Sequence, residues 1–223
     1  IRSIEKVILG PERKSHLMSR KQKRLTAYHE VGHALVSSVL PNADPVHKIS
    51  IISRGRAAGY TLKLPFEDSK IQSKKEFLDD IAGTLGGYVA EELVFGDITT
   101  GPSNDLAVIT ALARDMVSRY GMSDKIGPVA FATDQNYRSE TYSQDMASQI
   151  DSEVSRIIEE AREKAKGVLV QHREALTMIS ERLFEVETLE REEFEKLLIL
   201  NGIEPKKKED EDLPSIPDVA PTV

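Results

Sequence analysis

Between Leu25 and Leu40 apolar or ring-bearing residues return every three or four positions: Leu25, Tyr28 or His29, Gly32 or His33, Val36, and Val39 or Leu40. That spacing predicts a helix, which Pro41 and the turn-prone Asn42-Ala43-Asp44-Pro45 end. The β-branched run Ile49–Ile52 and the alternating Tyr60-Thr61-Leu62-Lys63-Leu64, closed by Pro65, predict two short strands, read as an antiparallel pair. Ser73-Lys74-Lys75-Glu76 has the form of a capping box. The helix it opens carries Phe77, Ile81, Leu85, Tyr88 or Val89, and Leu93 on one face and ends near Gly96. Gly83, Gly86 and Gly87 lie inside that helix, each costing about 1 kcal/mol relative to Ala. Close approach of another backbone and intrinsic bending are equally good reasons for them.

A polar loop, 97–104, leads to a helix starting at Asp105 or Leu106 and running to Tyr120, with Gly121 as its left-handed C′ residue. Val129–Thr133 reads as a short strand and 134–144 as a polar connection. Three apolar stripes follow: Ile150 to His172; Leu176, Ile179 and Leu183; and Phe194, Leu197 and Leu198, stopped by Gly202. They predict a C-terminal helical bundle. The expected fold is mainly α, with a small β-hairpin or sheet beside the first helix. Residues 1–24, rich in charge, read as a linker; 25–203 form the domain; 204–223, with Lys206 to Asp212 and then Pro214, Pro217 and Pro221, read as a disordered tail.

Composition narrows the function. Thirty Lys and Arg stand against 37 Asp and Glu among 223 residues, a net charge of −7. An acidic chain is a poor match to duplex nucleic acid, so no nucleic-acid partner is expected. With no cysteine, disulfides, Cys-ligated zinc, Fe–S clusters and thiol nucleophiles are excluded. No apolar run reaches the roughly 18 residues of a membrane span. A start at Ile1 reads as that of a fragment or processed product.

The chemistry is concentrated in His29-Glu30-Val31-Gly32-His33. Histidines four apart on a helix are separated by about 40° of rotation and about 6 Å of rise, so both rings leave one face and can share an ion. Glu30, about 100° from His29, is placed to act on a water without using a ligand position. A zinc ion there would lower the water's pKa towards about 7; Glu30 would take its proton, and the hydroxide would attack a polarised carbonyl. Zinc needs a third protein ligand. His16, His47 and His172 are poorer candidates than the carboxylates, His172 being better read as a cation at a helix C-terminus. Glu91 or Glu92 would complete a two-His-plus-Glu set, and Asp105 sits where a helix dipole favours an ionised carboxylate. Physics alone divides the choice evenly between them.

Four segments in order, Tyr28-His-Glu-Val-Gly-His33, Gly86-Gly-Tyr-Val-Ala-Glu-Glu92, Thr99-Thr-Gly-Pro-Ser-Asn-Asp105 and Tyr120-Gly-Met-Ser123, resemble the peptidase domain of FtsH-type membrane-anchored AAA zinc metalloproteases. The likeness covers roughly residues 10–200. It implies zinc held by His29, His33 and Asp105, with Glu30 catalytic and Glu91 and Glu92 supporting. It also implies a helical domain, a homo-hexamer in the full-length protein, and degradation of unfolded or membrane polypeptides fed by an ATPase ring. The expected location is a soluble domain at the cytoplasmic face of an inner membrane. Val31 replaces the family's usual Ala at a variable position. No G-x-x-x-x-G-K-[ST] phosphate loop occurs in the chain, so the ATPase module and membrane anchor are expected elsewhere in the full-length protein, and 1–24 reads as the linker after that module. Tyr60, Thr61, Leu62 and Lys63 are expected to pair with extended substrate, a structural hairpin being the plainer reading. The competing functions are a non-catalytic helical oligomerisation module and a soluble zincin that needs no motor.

Overall fold

The first helix begins earlier than its apolar stripe suggests. In the computed structural model, which describes residues 18–53, 58–66, 71–131 and 143–207, α1 spans Arg20–Val39. Ser19 caps it: its side chain accepts from the Gln22 amide while the Gln22 side chain accepts from the Ser19 N–H. This Ser-x-x-Gln box was present in the sequence but masked by the charge around it. Residues 20–24 are therefore helix rather than linker. Their cations face a neighbouring helix, with Lys23 paired to Glu187, Arg24 to Glu181, and Lys23 over the Phe184 ring.

The other elements, among the described residues, are β1 (Val46–Ser50), β2 (Tyr60–Lys63), α2 (Lys74–Phe95), α3 (Ser103–Ser118), α4 (Gln144–Gln171), α5 (Arg173–Val186), β3 (Thr188–Glu190) and α6 (Arg191–Leu200). The fold is mainly α. The expected strand pair exists, shifted so that β1 starts directly after Pro45, and a third strand joins it. The order is β2-β1-β3, antiparallel throughout, with Ile49 opposite both Thr61 and Leu189. β3 is too short to show an alternating pattern of its own. No strand forms at 129–131; the Phe131 amide instead donates to the Ser118 carbonyl. The rest of that segment, 132–142, lies outside the described residues, as do 1–17 and 208–223. Lys206 donates to the Ala43 carbonyl, so the start of the segment read as tail lies against the domain.

α1 is the centre of the molecule. Ala27, Val31, Ala34, Leu35 and Val36 have no exposed surface, and α1 is flanked by α2, α5 and the sheet. A one-faced stripe was expected; Glu30, Ser37 and Ser38 are buried as well. The α1–α2 contact is very close because glycines oppose each other there. A Cβ on Gly32 would lie 2.3 Å from the Gly86 carbonyl oxygen, and one on Gly86 would lie 2.3 Å from that of Gly32. Close backbone approach is therefore the reason for glycine at Gly86, whereas Gly83 and Gly87 make room for the side chains of Ser37 and of His29 and His33. Gly96, as expected, ends α2 in the left-handed region. α3 stops at Arg119, so Gly121 stands two residues past its cap, with φ 61°.

Candidate metal centre

α1 and α2 pack at glycine distance beside a cleft of about 880 Å³. His29 and His33 enter it from α1, with ring centroids 4.6 Å apart and ring planes nearly perpendicular. Their Nε2 atoms are 3.0 Å apart. Asp105, in the first turn of α3, brings Oδ2 to 3.3 Å from His29 Nε2 and 3.4 Å from His33 Nε2. The α3 dipole favours ionised Asp105 at that position.

Each imidazole is oriented through its other nitrogen. His33 Nδ1 lies 3.1 Å from the Gly83 carbonyl oxygen. The Gly87 N–H lies 3.2 Å from the same nitrogen; with the proton on Nδ1, bonded to the Gly83 carbonyl, Nε2 would be left to present its lone pair. His29 Nδ1 lies 2.8 Å from Glu91 Oε1 and donates to it in the same way. Glu91 is itself fully buried, and its second oxygen accepts from both the amide and the hydroxyl of Thr99.

This places the competing carboxylates. Glu91 engages the far side of His29, and Glu92 turns away to Arg162 at 3.2 Å. Among the described residues, the acid and imidazole atoms that gather within 4.8 Å of one another belong to His29, His33 and Asp105. His47 in β1 and His172 at the α4–α5 junction stand outside that group, and His16 lies outside the described residues.

Such a group could hold a cation. Burial works against a charged His29, but the Asp105 and Glu91 carboxylates outweigh it and push its pKa up to about 10. Burial likewise opposes the Asp105 carboxylate, yet hydrogen bonds from His29 and His33 hold its pKa well below the usual carboxylate range. A single shared proton serves one of the three close contacts; a divalent ion serves all three. Zinc bonds of about 2.0–2.1 Å in a tetrahedron put ligand atoms about 3.3 Å apart, which matches the two Asp105 distances. The donor set therefore fits zinc, and with three protein ligands it leaves one position open.

Glu30 lines the same cleft and is 6% exposed. Burial pushes its pKa up, while His29, His33 and the Thr61 hydroxyl pull the other way. Gly87 closes the back of the site: a Cβ there would lie 2.6 Å from both His29 Cε1 and His33 Nε2. β2 forms one wall and an edge of the sheet. Tyr60, Thr61 and Lys63 line the cleft; Leu62 is buried and does not. Lys63 is paired with Asp80 at 2.5 Å. Sequence reasoning missed the bonding of Thr99 to Glu91 and the space that Gly87 leaves for the two rings, because each acts on a residue of another element.

Comparison with known proteins gives the family. The model of Peptidase family M41 matches residues 16–197. The ATP-dependent zinc metalloprotease FtsH of Pseudothermotoga lettingae is 51% identical over 205 residues, 88% of this chain and 33% of the relative. FtsH 1 of Conexibacter woesei is 49% identical over 203 residues, 87% and 31% of the two chains. FtsH of Bacillus subtilis is 43% identical over 217 residues, 93% and 34%. The chain spans about a third of the length of these relatives. With most of its described residues inside the matched region, and the H-E-x-x-H helix at its centre, the chain belongs to peptidase family M41.

Proposed function

We propose that this chain is a zinc-dependent endopeptidase domain in which His29, His33 and Asp105 hold the metal and Glu30 is the general base. The observation that carries the reading is the convergence of two Nε2 atoms and one carboxylate oxygen beside a buried glutamate in an open cleft. When bound, zinc supplies Lewis acidity, polarising a carbonyl and lowering the pKa of water towards about 7. Glu30, raised by burial, takes a proton from the attacking water and passes it to the departing amine. Glu91 and the Gly83 carbonyl keep the two imidazoles in the tautomer that presents Nε2. The edge of β2, with Tyr60, Thr61, Leu62 and Lys63, pairs with an extended peptide through backbone hydrogen bonds, which suits cleavage with broad sequence tolerance.

In the full-length protein this domain works with an ATPase module and a membrane anchor, as a homo-hexamer at the cytoplasmic face of an inner membrane, on unfolded and membrane polypeptides. The names of its relatives, ATP-dependent zinc metalloproteases, support the coupling to ATP. No helix among the described residues is long and apolar enough to cross a membrane. The test combines metal analysis with cleavage of an unstructured peptide. The unchanged chain should hold one zinc and cleave. Glu30→Gln should keep zinc and lose cleavage, and His29→Ala should lose both. Cleavage that survives complete removal of metal refutes the proposal.

A further inference from the structure

The environment of Glu30 contains a feature that the family match does not assign. The Thr61 hydroxyl lies 2.8 Å from Glu30 Oε2 and 3.0 Å from the Glu30 carbonyl oxygen. Both are acceptors, so the hydroxyl donates, sharing one proton between them. On the other side Gly59 leaves room for the second carboxylate oxygen: a Cβ at Gly59 would lie 2.8 Å from Glu30 Oε1, and also 2.8 Å from the Ser50 carbonyl oxygen. Two residues of one short segment, spaced by two, thus fix the two oxygens differently. One is tied by a hydrogen bond, and the other is admitted by a missing side chain.

We propose that Thr61 is a positioning residue for the Glu30 general base. Its hydroxyl ties up Oε2 and holds the carboxylate plane, with Oε1, accommodated at Gly59, left without that bond. The inference rests on the endopeptidase reading of the same site and adds to it. Thr61 belongs to the strand whose edge faces the cleft, so substrate seating and base orientation share one element. A freely rotating carboxylate would present either oxygen to the water. A fixed one presents a single oxygen in one plane, and general-base catalysis depends on that geometry.

The experiment compares Thr61→Val, which keeps the shape and removes the donor, with Thr61→Ser, which keeps the donor. With the zinc-loaded chain and an unstructured fluorogenic peptide, Thr61→Val should lower kcat about 10- to 100-fold, the range found when groups supporting a metal site are removed. KM should stay within about twofold and zinc content at one per chain. Thr61→Ser should recover most of kcat. A valine variant that cleaves as fast as the unchanged chain overturns the proposal. So does a serine variant as slow as the valine one, or a loss confined to KM, which would mark Thr61 as a substrate contact only. A second readout needs neither metal nor activity: thermal melts of the metal-free chain in a cycle of Thr61→Val, Glu30→Ala and the double variant. Coupling between the two side chains should appear as about 2 °C or more of non-additivity in Tm, and strict additivity overturns the contact. If the unchanged chain binds zinc yet cleaves nothing, the endopeptidase reading fails while this cycle still decides whether Thr61 holds Glu30.

Discussion

Gly86→Ala is the substitution for which helix propensity and packing give opposite answers. Gly86 lies inside α2, where exchanging Gly for Ala should by itself stabilise the helix by about 1 kcal/mol. The new Cβ would sit 2.3 Å from the Gly32 carbonyl oxygen, 2.6 Å from its carbonyl carbon and 2.9 Å from the His33 nitrogen. All three are backbone atoms of the central helix, so no side chain can rotate away, and ordinary contact requires α1 and α2 to separate by about 1 Å. Overpacking that side chains absorb costs about 1–3 kcal/mol. With backbone on both sides the cost falls at the upper end, about 3 kcal/mol, for a net loss of about 2 kcal/mol after the propensity gain. For a domain of this size that is a drop in Tm of about 4–8 °C. Gly167, in α4, is the control: a Cβ there meets nothing within 4 Å, so Gly167→Ala should raise Tm by about 2–4 °C. Calorimetry on the two variants and the parent decides the matter. A Gly86→Ala chain as stable as the parent would show that the helices do not meet backbone to backbone, and the argument would be wrong.

Gly87→Ala, which adds a methyl group 2.6 Å from His29 Cε1 and His33 Nε2, should reduce zinc binding at least tenfold with little change in far-UV circular dichroism; equilibrium dialysis against a zinc buffer measures it. Asp79 is 1% exposed and accepts from the Asn42 amide at 2.9 Å, the Asn42 side chain at 2.8 Å and Lys164 at 2.5 Å. Burial opposes its charge, but these bonds win and lower its pKa. A lowered folded-state pKa means that its stabilisation is present above the unfolded-state value of about 3.9 and is lost as pH falls through the folded one. Asp79→Asn should cost about 2 kcal/mol at pH 7, and the gap to the parent should close below about pH 4 in pH-dependent melts. Stripping zinc from the loaded chain should raise amide exchange in residues 103–108 much more than in 26–36, read by hydrogen-exchange mass spectrometry.

The parts of the site legible in sequence are those within one helical turn. His29 and His33 share a face because four residues nearly complete a turn, and Glu30 follows from the same geometry. The proposed third ligand was not legible from spacing. Asp105, Glu91 and Glu92 were comparable carboxylates until α2 turned Glu91 behind the His29 ring and Glu92 out to Arg162. Only the resemblance in the Thr99–Asp105 segment chose between them. The glycines show the same limit. Their positions in α2 were plain, but the pairing of Gly86 with Gly32 joins residues 54 apart, and no local pattern encodes it. The start of α1 was obscured for a different reason. Cations that read as solvated linker were partners for Glu181 and Glu187, which lie on and just past α5.

The three proposed ligands are not held with equal firmness, and the difference bears on how the centre assembles. His29 and His33 stand on the half of α1, 26–38, whose other residues are buried, and each lies through Nδ1 against α2, so their Nε2 atoms are set by the packing of the core. Asp105 stands on the half of α3 that has little packing. Leu106, Ala107 and Val108 are exposed, and the buried residues of α3 begin at Ile109. Its carboxylate meets the two imidazoles, while Thr99 in the loop just before α3 is bonded to Glu91, the same residue that orients His29. Glu91 thus links the rigid pair to the looser segment that supplies the third ligand. A histidine pair fixed by the core would offer an ion two ready donors, while Asp105 would be the donor that depends on the 99–105 segment. Tyr60, Thr61 and Lys63 of β2 line the same cleft. A proposed metal ligand on a lightly packed helix start is a weakness for stability that a bound ion would offset.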